Sequence, residues 1–135
     1  MTDKIKILIA DDEASILEIM EKKIAREGFE VVTAADGVIA WEKIQLTAPD
    51  VVVLDLTMPN MDGLEVLKNL GENPPRGKWI PVIIVSALGE VADLEKGMSL
   101  QADHYLVKPC PVEEILRGIR LMLSLIPQRK SETEV

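Results

Sequence analysis

The chain has 135 residues, 47% of them hydrophobic, which is enough to bury the core of one domain and leaves no expectation of a second. Its 23 acidic residues outnumber 15 basic ones; a formal net charge of -8 repels phosphate backbones and anionic membranes, so neither direct nucleic-acid binding nor a membrane partner is expected. The lone Cys110 excludes an internal disulfide and a cysteine-built metal site, and neither a signal region at Met1-Thr2-Asp3-Lys4 nor a bilayer-length apolar run is present, so a soluble, cytoplasmic protein is expected.

Residues 5–10 are dominated by Ile, Leu and Ala, which predicts a strand buried on both faces, and they run straight into Asp11, Asp12 and Glu13. Ile16, Leu17, Met20 and Ile24 then recur at helical spacing until Gly28. Residues 29–34 form a second, β-branched strand. Asp36-Gly37 turns the chain into a second helix, whose inward stripe reads as Val38, Trp41, Ile44 and Ala48 ahead of Pro49. Residues 51–54, Val-Val-Val-Leu, are a third strand that delivers Asp55 to its end. A turn-rich loop follows, and Leu64, Val66, Leu67 and Leu70 mark a short helix beginning near Gly63. Asp62 and Gly63 are read as structural, making that turn and starting that helix.

Residues 71–79 are rich in Gly, Pro and Asn and predict a surface loop. Residues 81–85 give a fourth strand ending at Ser86-Ala87, and Val91, Leu94 and Met98 the stripe of another helix. Residues 103–107 form a weaker strand that ends at Lys108-Pro109, where the X-Pro bond is a candidate for a fixed cis turn. Val112, Ile115, Leu116, Ile119, Met122, Leu123 and Ile126 mark the last helix, which Pro127 is expected to end. The domain is therefore assigned residues 1–127, and residues 128–135 a polar tail or the start of a linker.

Strands without alternating polarity, separated by helices, imply a doubly wound α/β domain: a five-stranded parallel sheet with helices on both faces and right-handed crossovers. The common order for five strands, 2-1-3-4-5, opens a crevice at the carboxyl ends between the first and third. Asp11 and Asp12, Asp55, Ser86 and Lys108 follow the first, third, fourth and fifth strands, so all gather at that edge. Three carboxylates this close repel one another unless a cation neutralises them, and Mg²⁺ suits oxygen ligands. A carboxylate beside a metal, an amine and a hydroxyl is a receptacle for a phosphoryl group, with Asp55 as nucleophile. Taken singly, each residue has a plainer use. Asp55 could start a polar turn, Asp12 could cap the first helix, Ser86 could open a helix, and Lys108 could be a solvated lysine.

The set Asp11-Asp12, Asp55 within Val-Val-Val-Leu-Asp-Leu-Thr-Met-Pro-Asn-Met-Asp-Gly, Ser86-Ala87 and Tyr105-Leu-Val-Lys-Pro resembles the receiver domain of bacterial response regulators, over nearly the whole chain. The resemblance implies a flavodoxin-like fold and a phosphorelay switch in two-component signalling. Asp55 would take a phosphoryl group from a histidine kinase or histidine phosphotransfer protein. Mg²⁺ would be held by Asp12, Asp55 and the backbone carbonyl of Thr57, with Asp11 contributing directly or through water. Ser86, Ala87 and Lys108 would meet the phosphoryl oxygens, and Ser86 and Tyr105 would be the switch residues. The output face would be formed by the fourth helix, fifth strand and fifth helix and would act on an effector protein or domain. His104 stands where an acid is common in the family, which alters the charge of that face. Leu121 and Leu125 fall off the main stripe of the last helix and, with His104, are candidates for a partner or homodimer surface.

Two other readings compete. A receiver-like interaction module would keep the fold without phosphorylation. An aspartyl-phosphate phosphatase of the haloacid dehalogenase type wants a second acid two residues after its nucleophile, where this chain has Thr57. The expected role is that of a phosphoacceptor regulatory domain and not of an enzyme.

Overall fold

The computed structural model describes residues 4–87 and 102–134, with side chains through residue 126. The helix expected from Val91, Leu94 and Met98 lies outside the described residues. The strands are β1 (Lys6–Ala10), β2 (Glu30–Ala34), β3 (Val51–Asp55), β4 (Val82–Ala87) and β5 (His104–Lys108), all paired in parallel in the order β2-β1-β3-β4-β5. The helices are α1 (Ala14–Arg26), α2 (Gly37–Thr47), α3 (Gly63–Glu72) and α4 (Val112–Glu134).

Why the strands read as unbroken apolar runs is plain from which residue faces where. Ile7 and Ile9 of β1 and Val51 and Val53 of β3 pack against Met20 and Ile24 of α1 and Ile115, Ile119 and Met122 of α4. Their neighbours Leu8, Val52 and Leu54 pack the other way, against Ala40 and Ile44 of α2 and Val66, Leu67 and Leu70 of α3. Both faces are dry, so alternation of polarity cannot set the register. Polar staples do so at the strand starts. Asp50 accepts from the Lys6 N–H at 2.8 Å and donates its own N–H to the Lys6 carbonyl at 2.8 Å. Asp103 does the same for Val82, at 2.9 and 3.0 Å.

Three sequence expectations are corrected. The buried stripe of α2 is Gly37, Ala40 and Ile44, continued by Ala48, and Val38 is exposed. Small residues carry little hydrophobic signal, but they let α2 lie close to the loop after β3. The third helix continues through Gly71 and Glu72 before the breakers stop it. Finally, α4 runs through Pro127 to Glu134. Proline removes one N–H and crowds the carbonyl four residues back. The residues that follow include Gln, Arg, Lys and Glu with no glycine, so the helical path is kept.

Candidate functional site

At the carboxyl edge of the sheet, β3 is buried along its whole length and ends in Asp55, which is only 7% exposed. Asp11 leaves β1 equally enclosed, its N–H donating to the Ala34 carbonyl at 3.1 Å, while Asp12 is exposed. Carboxylate oxygens of Asp11, Asp12 and Asp55 all lie within 4.8 Å of one another. Lys108, the last residue of β5, reaches across β4 and donates to Asp55 Oδ2 at 3.0 Å and to Asp11 Oδ2 at 3.1 Å. The second oxygens are also used: Asp55 Oδ1 accepts from the Thr57 N–H at 3.1 Å and Asp11 Oδ1 from the Glu13 N–H at 2.9 Å.

These contacts remove several of the plainer alternatives. The residue capping α1 is Glu13, without a side-chain cap, so Asp12 is not spent on the helix. Lys108 is no solvated lysine. The peptide joining it to Pro109 is cis. Burial pushes the Asp55 carboxyl above its ordinary range, against the hydrogen bond and charge of Lys108. Burial pulls the Lys108 ammonium down, yet Asp55 and Asp11 outweigh it and hold its pKa above the ordinary value. With all groups ionised, three carboxylates less one ammonium leave two negative charges in a half-dry pocket, the complement of a divalent cation.

Ser86 is fully buried and its Oγ has no hydrogen-bond partner among the described residues. Ala87 follows it, exposed, in register with Lys108. Tyr105 lies half-buried against the core on the α2–α3 side, its hydroxyl buried and likewise without a partner; burial, then the charge of Asp103, raises its pKa. A buried polar atom without a partner is costly.

His104 is not at this edge. Its ring packs on Gly118 of α4, where an added Cβ would stand 3.1 Å from His104 Cδ2. Leu121 is 48% exposed, whereas Leu125 is partly buried against the core, so the two leucines are not equivalent. A cavity of about 650 Å³ opens beside Asp55, floored by apolar residues such as Ile16, Ile19 and Met20 and bordered by Cys110 and Val112. Cys110 is half-buried, and burial, then the Glu114 carboxylate, pushes its thiol up to about 11.

Sequence reasoning passed over one cluster. Asp36 caps α2 through Oδ1, accepting from the Ile39 N–H at 2.8 Å, and its Oδ2 accepts from Asn60 Nδ2 at 2.9 Å. The signal was Asp-Gly directly before a helical stripe, readable as a cap and not only as a turn.

A parallel, doubly wound sheet whose switch crevice holds buried carboxylates bridged by one lysine defines a domain of the α/β class with its candidate site at the topological switch point. The family model described as response regulator receiver domain matches residues 7–120, and the chain belongs to that family. It is 46% identical over 121 residues to a probable transcriptional regulator ycf27 of Cyanophora paradoxa, covering 90% of this chain and 49% of that protein. It is 36% identical over 118 residues to the alkaline phosphatase synthesis transcriptional regulatory protein PhoP of Bacillus subtilis, covering 87% and 48%. The chain thus spans about half the length of these relatives. Among solved structures, the receiver domain of the Francisella response regulator 1452 superposes with a TM-score of 0.78 at 32% identity, over 89% of this chain and 96% of that one. The chemotaxis protein CheY4 of Vibrio cholerae gives 0.80 at 30% identity, over 89% and 99%.

Proposed function

We propose that Asp55 is a phosphoacceptor and that the domain is a Mg²⁺-dependent switch between a phosphohistidine donor and a downstream output. The observation that carries this reading is Lys108, held at 3.0 and 3.1 Å between two buried carboxylates that have no other cationic partner among the described residues. Asp55 Oδ attacks the phosphorus of the donor, the P–N bond to the donor imidazole breaks, and the imidazole leaves with the bonding pair. Asp12, Asp55 and the Thr57 carbonyl, with Asp11 in support, would hold Mg²⁺, which would supply positive charge to offset that on the transferring oxygens. Lys108 takes up the phosphoryl oxygens as they arrive. Ser86 and the Ala87 N–H supply hydrogen bonds from the other side, and the buried Ser86 hydroxyl, without a partner among the described residues, suits that task. Its movement leaves room that Tyr105 fills, which carries the change to the output face.

The donor is a histidine kinase or phosphotransfer protein. The output is an effector protein or domain, and the domain turns over no substrate of its own beyond losing the phosphoryl group to water. A cytoplasmic setting accords with the reduced Cys110, and among the described residues no helix is long and apolar enough to cross a membrane. The test is incubation with Mg²⁺ and acetyl phosphate followed by intact mass. One acid-stable, base-labile phosphoryl group is expected, absent without Mg²⁺ and absent in Asp55→Asn. No adduct where a control receiver domain is labelled, or an adduct that survives Asp55→Asn, overturns the reading.

A further inference from the structure

We infer that the Asn60–Asp36 hydrogen bond is a positioning device for the metal side of the phosphoacceptor site, with the N-terminus of α2 holding the loop after β3 in the shape that presents Thr57. This rests on the function proposed above, because it concerns the loop whose Thr57 carbonyl is assigned to Mg²⁺.

The loop leaves β3 at Leu56 and closes on itself where the Gly63 N–H donates to the Leu56 carbonyl at 2.8 Å. Inside that closure the Thr57 N–H is tied to Asp55, and the Met61 N–H donates to the Pro59 carbonyl at 2.8 Å. Its crown, however, bears on a different element. Asn60, in the left-handed region at φ 70°, donates its amide to Asp36 Oδ2 at 2.9 Å. One residue on, Met61 presses its backbone on Gly37, where an added Cβ would stand 1.7 Å from the Met61 carbonyl oxygen. The two contacts are adjacent on both sides, Asp36-Gly37 against Asn60-Met61, so α2 and the loop meet as one fitted joint. Asp36 is suited to the task because the Ile39 N–H, and then the Asn60 amide, lower its pKa and keep it an acceptor. Its other oxygen is committed to the helix cap, so the carboxylate cannot rotate away without uncapping α2.

Outer partners of metal ligands commonly change affinity by one to two orders of magnitude when removed. The bridge lies farther out, acting through the loop backbone, so a smaller effect is expected. The test measures Mg²⁺ binding to the whole 135-residue protein by titration calorimetry, with the urea midpoint followed in parallel. Asn60→Gly tolerates the left-handed backbone and removes the amide together with its Cβ; it is expected to raise the Mg²⁺ Kd about threefold to tenfold. Asp36→Ser keeps a capping oxygen, loses the bridge and is expected to weaken Mg²⁺ similarly. Exchanging the two, Asp36→Asn with Asn60→Asp, reverses the bridge at constant net charge and keeps the cap; it is expected to bind within about twofold of the parent. Single variants that bind Mg²⁺ like the parent, or an exchange as weak as the singles, overturn the inference while the acetyl phosphate adduct still stands. A parent protein that takes up neither Mg²⁺ nor the phosphoryl group overturns the function proposed above, and this inference with it.

Discussion

Lys108 divides one ammonium group between Asp11 and Asp55, and its side chain is 22% exposed, so it is both the main countercharge of the pocket and reachable from solvent. Removing one partner of a buried ion pair costs about 3–5 kcal/mol when the remaining charge is fully enclosed. With this exposure, Lys108→Met is expected to lose about 2 kcal/mol at neutral pH. Millimolar Mg²⁺ should return more of that loss than it adds to the parent, which parallel urea titrations with and without the metal would show. Cys110 sits on the rim of the same cavity with the opposite character. Its thiol titrates near 11 against an ordinary 9.0, so at pH 8 about a hundredfold less of it is thiolate. The greater nucleophilicity of a more basic thiolate recovers about half of that on a logarithmic scale. Alkylation by iodoacetamide at pH 8 should therefore run roughly tenfold slower than for an ordinary thiol and climb steadily as pH rises towards 11. A rate equal to that of a free thiol would mean the burial beside Glu114 is not kept in solution.

One glycine shows how the elements hold the pocket at fixed spacing. A Cβ on Gly63, the first residue of α3, would stand 2.3 Å from the Asp55 carbonyl oxygen and 2.8 Å from Leu56 Cα, so α3 begins where only glycine fits. Gly63→Ala must push α3 away from the end of β3. It should lose about 1–3 kcal/mol by urea unfolding and slow phosphoryl uptake together; Gly71→Ala, at a helical position of α3 with nothing within 4 Å, should leave uptake unchanged and raise stability by about 0.5–1 kcal/mol, and serves as control. The sheet and most helices were legible in advance because Ile, Leu and Val announce buried strands, and the meeting of Asp11, Asp12, Asp55 and Lys108 because the ends of parallel strands share one edge, although each residue alone has a plainer use. The stripe Gly37-Ala40-Ile44 was not, since its small residues are selected for closeness and not for hydrophobicity. The Asp36–Asn60 bridge was hidden for a related reason: it joins two loop residues 24 positions apart, each a common turn former. The stop expected at Pro127 failed because a local rule about one residue was outweighed by the helix formers on either side.

For the molecule as a whole, the proposed output requires a face for a second protein, and exposed apolar side chains are where that face is probed. Leu121 on α4 and Val107 on β5 are 48% and 41% exposed, whereas Leu125 shares the core. Leu121→Glu is therefore the cleaner probe: it should leave stability within about 0.5 kcal/mol and lower self-association of the phosphorylated protein in sedimentation. Association unchanged by that substitution would move the partner surface elsewhere. Lastly, the groups that meet in the pocket are far apart along the chain: Lys108 joins Asp55 across 53 positions and Asp11 across 97. A growing chain thus displays its carboxylates long before their lysine is synthesised, and β5, an edge strand, supplies it only once the rest of the sheet can receive it. On the function proposed above, phosphoryl uptake would consequently report on completed folding, and a chain halted short of β5 would be silent in signalling even with Asp55 in place.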